Sequence, residues 1–135
     1  MHRILGIDYG EKRVGLALSD PMQMIASPFD TIPNNPELVT NIQSIIKEKD
    51  VEIVVVGLPK GMKGQVTTQT ENVNRFVELL IDKKVKVELI DERLTSVSAE
   101  KALIEQGIKT GHHKGLIDQT AAAIILQQFL DSQNR

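Results

Sequence analysis

The chain has 135 residues and a mass of 15.0 kDa, with 41% hydrophobic and 25% charged side chains, enough for one domain spanning 1–135 with its own core. It contains no cysteine, which excludes disulfides, thiolate zinc sites and thiol nucleophiles, and with aromatics at 3% a stacking platform for single strands is not expected. The net charge of −2 and pI of about 5.9 provide no global basic field for nucleic acid, although an acidic catalytic cluster would offset basic loops in that sum.

The first apolar run, Ile4-Leu5-Gly6-Ile7, stops at Asp8, too early for a signal peptide. No stretch approaches the roughly 18 apolar residues of a membrane helix, so a cytoplasmic protein is expected. Arg3–Asp8 reads as a buried strand and Val14–Ser19 as a second. The loop between them, Tyr9-Gly10-Glu11-Lys12-Arg13, suits an antiparallel hairpin. A third strand between Ile25 and Ile32 carries Pro28 and belongs at a sheet edge. After the turn Pro33-Asn34-Asn35-Pro36 comes a helix with Leu38, Ile42, Ile45 and Ile46 on one face.

Val51–Gly57 is β-branched almost throughout, as a parallel strand buried on both faces should be. Leu58–Val66 is a loop bearing Gly and Lys, and the helix after it turns Val73, Phe76, Val77 and Leu80 inward. Val85–Ile90 reads as a less central strand. Thr95 or Ser96 can cap a further helix with Ala99, Ala102 and Leu103 inward, ending at Gly107. Gly107–Gly115 is polar and Gly-rich, expected to be mobile. A last helix is expected from about Asp118 to Asp131, with Ala121, Ile124, Ile125 and Gln128 along one side. Right-handed crossovers then give an α/β fold. Its five-stranded sheet is mixed: the first three strands antiparallel, the last two parallel to the first, with helices on both faces.

Asp8 closes the first strand, Asp91-Glu92 closes the last, and Asp118 opens the last helix. Adjacent parallel strands deliver their terminal residues to one sheet edge, where clefts form in α/β folds. A helix start bringing Asp118 there completes a set of hard oxygen ligands. Such a set repels itself unless a divalent cation neutralises it.

Ile7-Asp8-Tyr9-Gly10 with Arg13-Val14-Gly15, then Gly57-Leu58-Pro59, Asp91-Glu92-Arg93-Leu94-Thr95 and Asp118-Gln119-Thr120-Ala121-Ala122 form an ordered set across the chain. This set closely resembles the YqgF-type (RuvX-like) family, proteins of ribonuclease-H-like fold described as Holliday junction resolvases or pre-16S rRNA nucleases. The resemblance implies that Asp8, Glu92 and Asp118 are the catalytic, metal-binding acids. Asp91 is the fallback for Glu92, whose plainer role is an ion pair with Arg93 or a nearby lysine. One departure stands out. The loop before Asp118, often richly basic in similar proteins, here reads Lys109-Thr110-Gly111-His112-His113-Lys114, with titrating histidines where permanent charges are usual.

Each residue also has a bland reading. Asp8 before Tyr-Gly suits a turn, but an acid after an apolar run is costly to desolvate, which favours a cation partner. Asp118 at a helix start suits the macrodipole, a role compatible with ligation. Gly6 and Gly15 let a backbone approach closely or simply pack. Gly57 to Gly64 fails the phosphate-loop pattern, because Gly64 follows Lys63 where Ser or Thr is required. Lys12, Arg13, Lys60, Lys63, Arg93 and Lys114 are the candidate phosphate contacts; Arg93 either clamps a phosphate or braces the acids. His112 and His113 lack zinc spacing and read as surface residues, or as a proton donor or phosphate contact beside the cleft.

The activity expected is phosphodiester hydrolysis in structured nucleic acid by two Mg²⁺ or Mn²⁺ ions roughly 3.5–4 Å apart, with Asp8 shared between them. Precursor rRNA, cut at the 5′ end of pre-16S rRNA, is the substrate the family description favours, with ribosomal components as candidate partners. Branched DNA is the alternative, for which a symmetric dimer rather than a monomer is needed. Two rivals come from other classes. One is a non-catalytic module binding RNA or the ribosome. The other is a nucleotide-binding domain of actin-like type, whose first phosphate loop resembles Ile7–Gly15 but which pairs two such domains around its ligand.

Overall fold

A computed structural model describes residues 2–97 and 114–134. The helix expected after Thr95, with Ala99, Ala102 and Leu103, lies outside the described residues, as do Lys109, His112 and His113. The elements run β1 (Arg3–Tyr9), β2 (Arg13–Ser19), β3 (Ala26–Pro33), α1 (Leu38–Lys49), β4 (Val51–Leu58), α2 (Thr68–Asp82), β5 (Val87–Asp91), a 3-10 turn Glu92–Leu94, and α3 (Lys114–Gln133).

The five strands form one sheet in the order β3-β2-β1-β4-β5. β1 pairs antiparallel with β2, and β2 with β3; β4 runs parallel to β1, and β5 to β4. This is the mixed α/β sheet the patterning predicts. β3 is an edge strand, as Pro28 requires. Its pairing shifts where Leu16 faces Asp30 and Ala17 faces Pro28, leaving Phe29 as the extra residue of a bulge.

Strand alternation divides the core into two layers. Leu5, Ile7, Val14, Leu16, Val54 and Val56 pack with Leu38 and Ile42 of α1 and with Val73, Phe76, Val77 and Leu80 of α2. On the opposite face Ile4, Ala17 and Val55 pack under Ala121, Ala122, Ile125, Leu126 and Leu130 of α3. Helices therefore cover both faces. β4 is apolar on successive residues because it meets both layers.

Two expectations for the last helix are corrected. It is already helical at Lys114, so Asp118 sits past the first turn and is not the helix-opening residue. The Thr31 hydroxyl donates to the Gly115 carbonyl at 2.6 Å, and Ile117 is buried; these tertiary contacts carry the helix through a glycine that local propensity reads as a breaker. The buried stripe is Ile117, Ala121, Ala122, Ile125, Leu126 and Leu130, with Ile124 and Gln128 only half-buried at its flanks. A helix apolar on most sides has no period strong enough to say which side turns inward.

Candidate active site

The carboxyl ends of β1, β4 and β5 form one edge, and register defines a row of residues across it. Asp8 pairs with Gly15 of β2. Ile7 pairs with Val56, so Asp8 and Gly57 come next on their strands, and Gly57 pairs with Ile90 of β5. Alternation turns Gly15, Asp8 and Gly57 toward α3. Asp8 is thus flanked on both neighbouring strands by glycine, and it is buried at 5% exposure.

The other two acids lie over those glycines. A Cβ at Gly15 would fall 2.0 Å from the Asp118 carbonyl oxygen and 2.8 Å from the Asp118 Cβ, so α3 crosses β2 in direct backbone contact there. At Gly57 a Cβ would fall 2.8 Å from Glu92 Oε1 and 2.5 Å from Ile125 Cδ1. The Glu92 carboxylate therefore lies against β4, beside Asp8. Adjacent strands are about 4.8 Å apart, so Asp118 and Glu92 bracket Asp8 one strand away on each side. Helix α3 comes this close because Gly6 also lacks a side chain: a Cβ there would meet Ala122 O at 2.9 Å and Leu126 Cβ at 2.7 Å.

Asp91 and Glu92 separate clearly. The Asp91 carboxylate accepts from the Arg93 backbone N–H at 2.9 Å, capping the 3-10 turn, and from the Arg93 guanidinium Nη2 at 2.7 Å and Nε at 3.1 Å. Those bonds from Arg93 hold the Asp91 carboxyl below its ordinary range, and the same pairing raises Arg93. Arg93 braces Asp91. Its guanidinium also packs on Gly64 of the loop after β4, where a Cβ would stand 3.1 Å from Nη1. Lys60 of that loop adds to the field that lowers Asp91.

Arg13, at the start of β2, donates from Nε to Asp118 Oδ2 at 2.8 Å, with the carboxylate side chain 16% exposed. A cation is thus already delivered to one member of the acidic row. Lys12 and Lys63 are exposed in loops at this edge, and Lys114 belongs to α3. Among the described residues no three histidine or carboxylate groups converge as a metal-holding set. Two features escaped the sequence reading: the salt link from Arg13 to Asp118 and the seating of Glu92 on Gly57. The only local signal for the second is a glycine closing an otherwise β-branched run.

Comparison with known proteins bears on what this edge does. The family model described as "RuvX: Holliday junction resolvase" matches residues 2–132. A "Putative pre-16S rRNA nuclease" of Endomicrobium trichonymphae is 45% identical, covering 99% of this chain and 99% of its own. A relative with the same description from Bacteroides fragilis is 41% identical, over 98% and 99%. Among solved structures, Thermus thermophilus RuvC in complex with a Holliday junction substrate aligns with a TM-score of 0.59, covering 99% of this chain and 96% of that chain at 14% identity. That likeness speaks to the fold, a ribonuclease-H-like one.

Proposed function

Because the chain belongs to the RuvX family of nucleases, we propose that it hydrolyses phosphodiester bonds in structured nucleic acid, with the 5′ end of pre-16S rRNA as its substrate. The observation that carries this reading is the row Gly15–Asp8–Gly57, with Asp118 over one glycine and Glu92 over the other. Three carboxylates on one face and edge are a hard-oxygen donor set of the kind that holds Mg²⁺ or Mn²⁺. The Arg13 guanidinium on Asp118 marks the place as one that accepts a cation. Convergence of the three acids requires Asp118 to exchange that guanidinium for the metal.

When bound, a divalent ion supplies Lewis-acid polarisation of the phosphate and a more acidic water. The remaining tasks fall to the chain. Asp8, buried and paired with Gly15 of β2 just beyond the Ile7–Val56 pair with β4, is the rigid member around which Glu92 and Asp118 adjust. Arg13, released from Asp118, is positioned to take a phosphate oxygen in its place. Lys12, Lys60 and Lys63 neutralise neighbouring phosphates, and Arg93 keeps Asp91 out of the donor set while anchoring the Lys60 loop. No side-chain nucleophile is needed, since water attacks phosphorus directly.

The decisive experiment pairs Mn²⁺ calorimetry with cleavage of a labelled pre-16S leader and a four-way DNA junction, on wild type and Asp8→Asn. The expected outcome is loss of both metal binding and cutting in a variant that keeps its circular dichroism spectrum. Metal-dependent cutting by clean Asp8→Asn protein refutes the site. The description of the family model favours a second reading, cleavage of branched DNA, which demands two copies acting on opposed strands. Symmetric junction cutting by a sedimenting dimer is its signature.

A further inference from the structure

Tyr9 follows Asp8 directly and points the other way, into the layer covered by α1 and α2, where its ring stacks on Phe76 with centroids 4.7 Å apart. There it lines a cleft of about 340 Å³ between the chain entering α1 and the outer face of α2. Tyr9, Phe76 and Leu79 give the cleft apolar walls; Asn34, Asn72 and the exposed Arg75 give it polar ones. Such a mixture, near the ~300 Å³ lower end of small-molecule sites, admits one planar ring with a few directional contacts and excludes a duplex.

The polar members are wired to the strand end that carries Asp8. Arg75 Nη2 donates to Asn72 Oδ1, Asn72 Nδ2 to Gln69 Oε1 at 3.4 Å, and Gln69 Nε2 to the Tyr9 carbonyl at 3.3 Å. Asn34 Nδ2 donates to the Gly10 carbonyl at 2.8 Å. Carboxamides present a donor and an acceptor side by side, the complement of a base edge, and an aromatic wall supplies the stacking face. A guanidinium pairs with the phosphate or stacks on the ring. The cleft and the acidic row share one sheet edge and differ only in face, so a strand crossing that edge passes both.

We propose that this cleft holds one unstacked nucleobase of the substrate strand, next to the phosphate that lies at Asp8. The inference rests on the nuclease reading for its ligand and is tested without cleavage. Tyr9 is the chain's one tyrosine, so its ring-proton NMR signals are a built-in reporter. The four nucleoside 5′-monophosphates and, separately, inorganic phosphate are titrated without metal into the full chain, into Asn72→Ala and Arg75→Ala, and into Asp8→Asn. At least one nucleotide is expected to shift the Tyr9 signals saturably, with inorganic phosphate giving no such shift. Affinity should fall about tenfold in Asn72→Ala, the size of one lost base contact, and should not fall in Asp8→Asn, which removes a negative charge beside the nucleotide's phosphate. No saturable shift at millimolar nucleotide, an equal shift with phosphate, or full affinity in both cleft variants overturns the proposal. Nucleotide binding by a wild type that cuts nothing would instead sink the nuclease reading and leave the cleft standing.

Discussion

Asp8 owes its surroundings to two residues that have no side chain, and these two differ in what an added methyl would strike. At Gly57 the new Cβ meets the ends of movable side chains, Glu92 Oε1 at 2.8 Å and Ile125 Cδ1 at 2.5 Å. At Gly15 it meets the peptide of Asp118, with the carbonyl oxygen at 2.0 Å and its carbon at 2.3 Å, so α3 itself must shift. Overpacking against yielding atoms costs about 1 kcal/mol, against backbone about 3 kcal/mol or more. Gly57→Ala is therefore expected to melt close to wild type yet lose at least about tenfold in cleavage, as Glu92 is pushed off β4. Gly15→Ala is expected to lose several degrees in Tm. Equal Tm losses, or an unimpaired Gly57→Ala enzyme, would show that Glu92 is not held by that glycine.

The element that sets the entrance to the site is α2. Thr67 caps it by accepting from the Thr70 backbone N–H at 3.2 Å, and the Thr70 hydroxyl closes the capping box at the Thr67 N–H, 3.0 Å away. Thr70, 1% exposed, also donates to the Pro59 carbonyl, tying the helix start to the loop that carries Lys60 and Lys63. By contrast α1 starts at Glu37 with no side-chain cap bond. Thr67→Ala should then cost about 1 kcal/mol, while Glu37→Ala leaves stability nearly unchanged; parallel denaturant titrations measure both. A Glu37 variant as damaging as the Thr67 one would contradict this account of the caps. Thr67 could have been picked out from its type and place before the apolar run. The start of α3 was not open to such reading, because a contact from Thr31 on β3 holds its first turn.

Across the whole molecule, the parallel strands give the sheet two unlike ends. Lys60 lies at the carboxyl end with the acidic row, Lys86 at the opposite end before β5. With a net charge of −2, binding to nucleic acid must come from local cations rather than from a global field. Each phosphate contact on a duplex adds about 0.9 to the slope of log affinity against log salt. Lys60→Ala is expected to flatten that slope by about one contact and Lys86→Ala to leave it alone; the reverse would move the nucleic-acid path to the other end of the sheet. The strands, their senses and the edge where the acids gather were legible in the chain, because periods of two and 3.6 and the rule of right-handed crossovers act locally. Asp8 and the Asp91-Glu92 pair were legible as residue types closing strands, whereas the place of Asp118 within the last helix was not. Three matters were decided only in three dimensions: that Glu92 rather than Asp91 turns onto β4, that Arg13 reaches Asp118 across 105 positions, and that two glycines make room for the acids around Asp8. Each depends on which distant residues come to share a row or a face, and a local pattern carries no record of such partners.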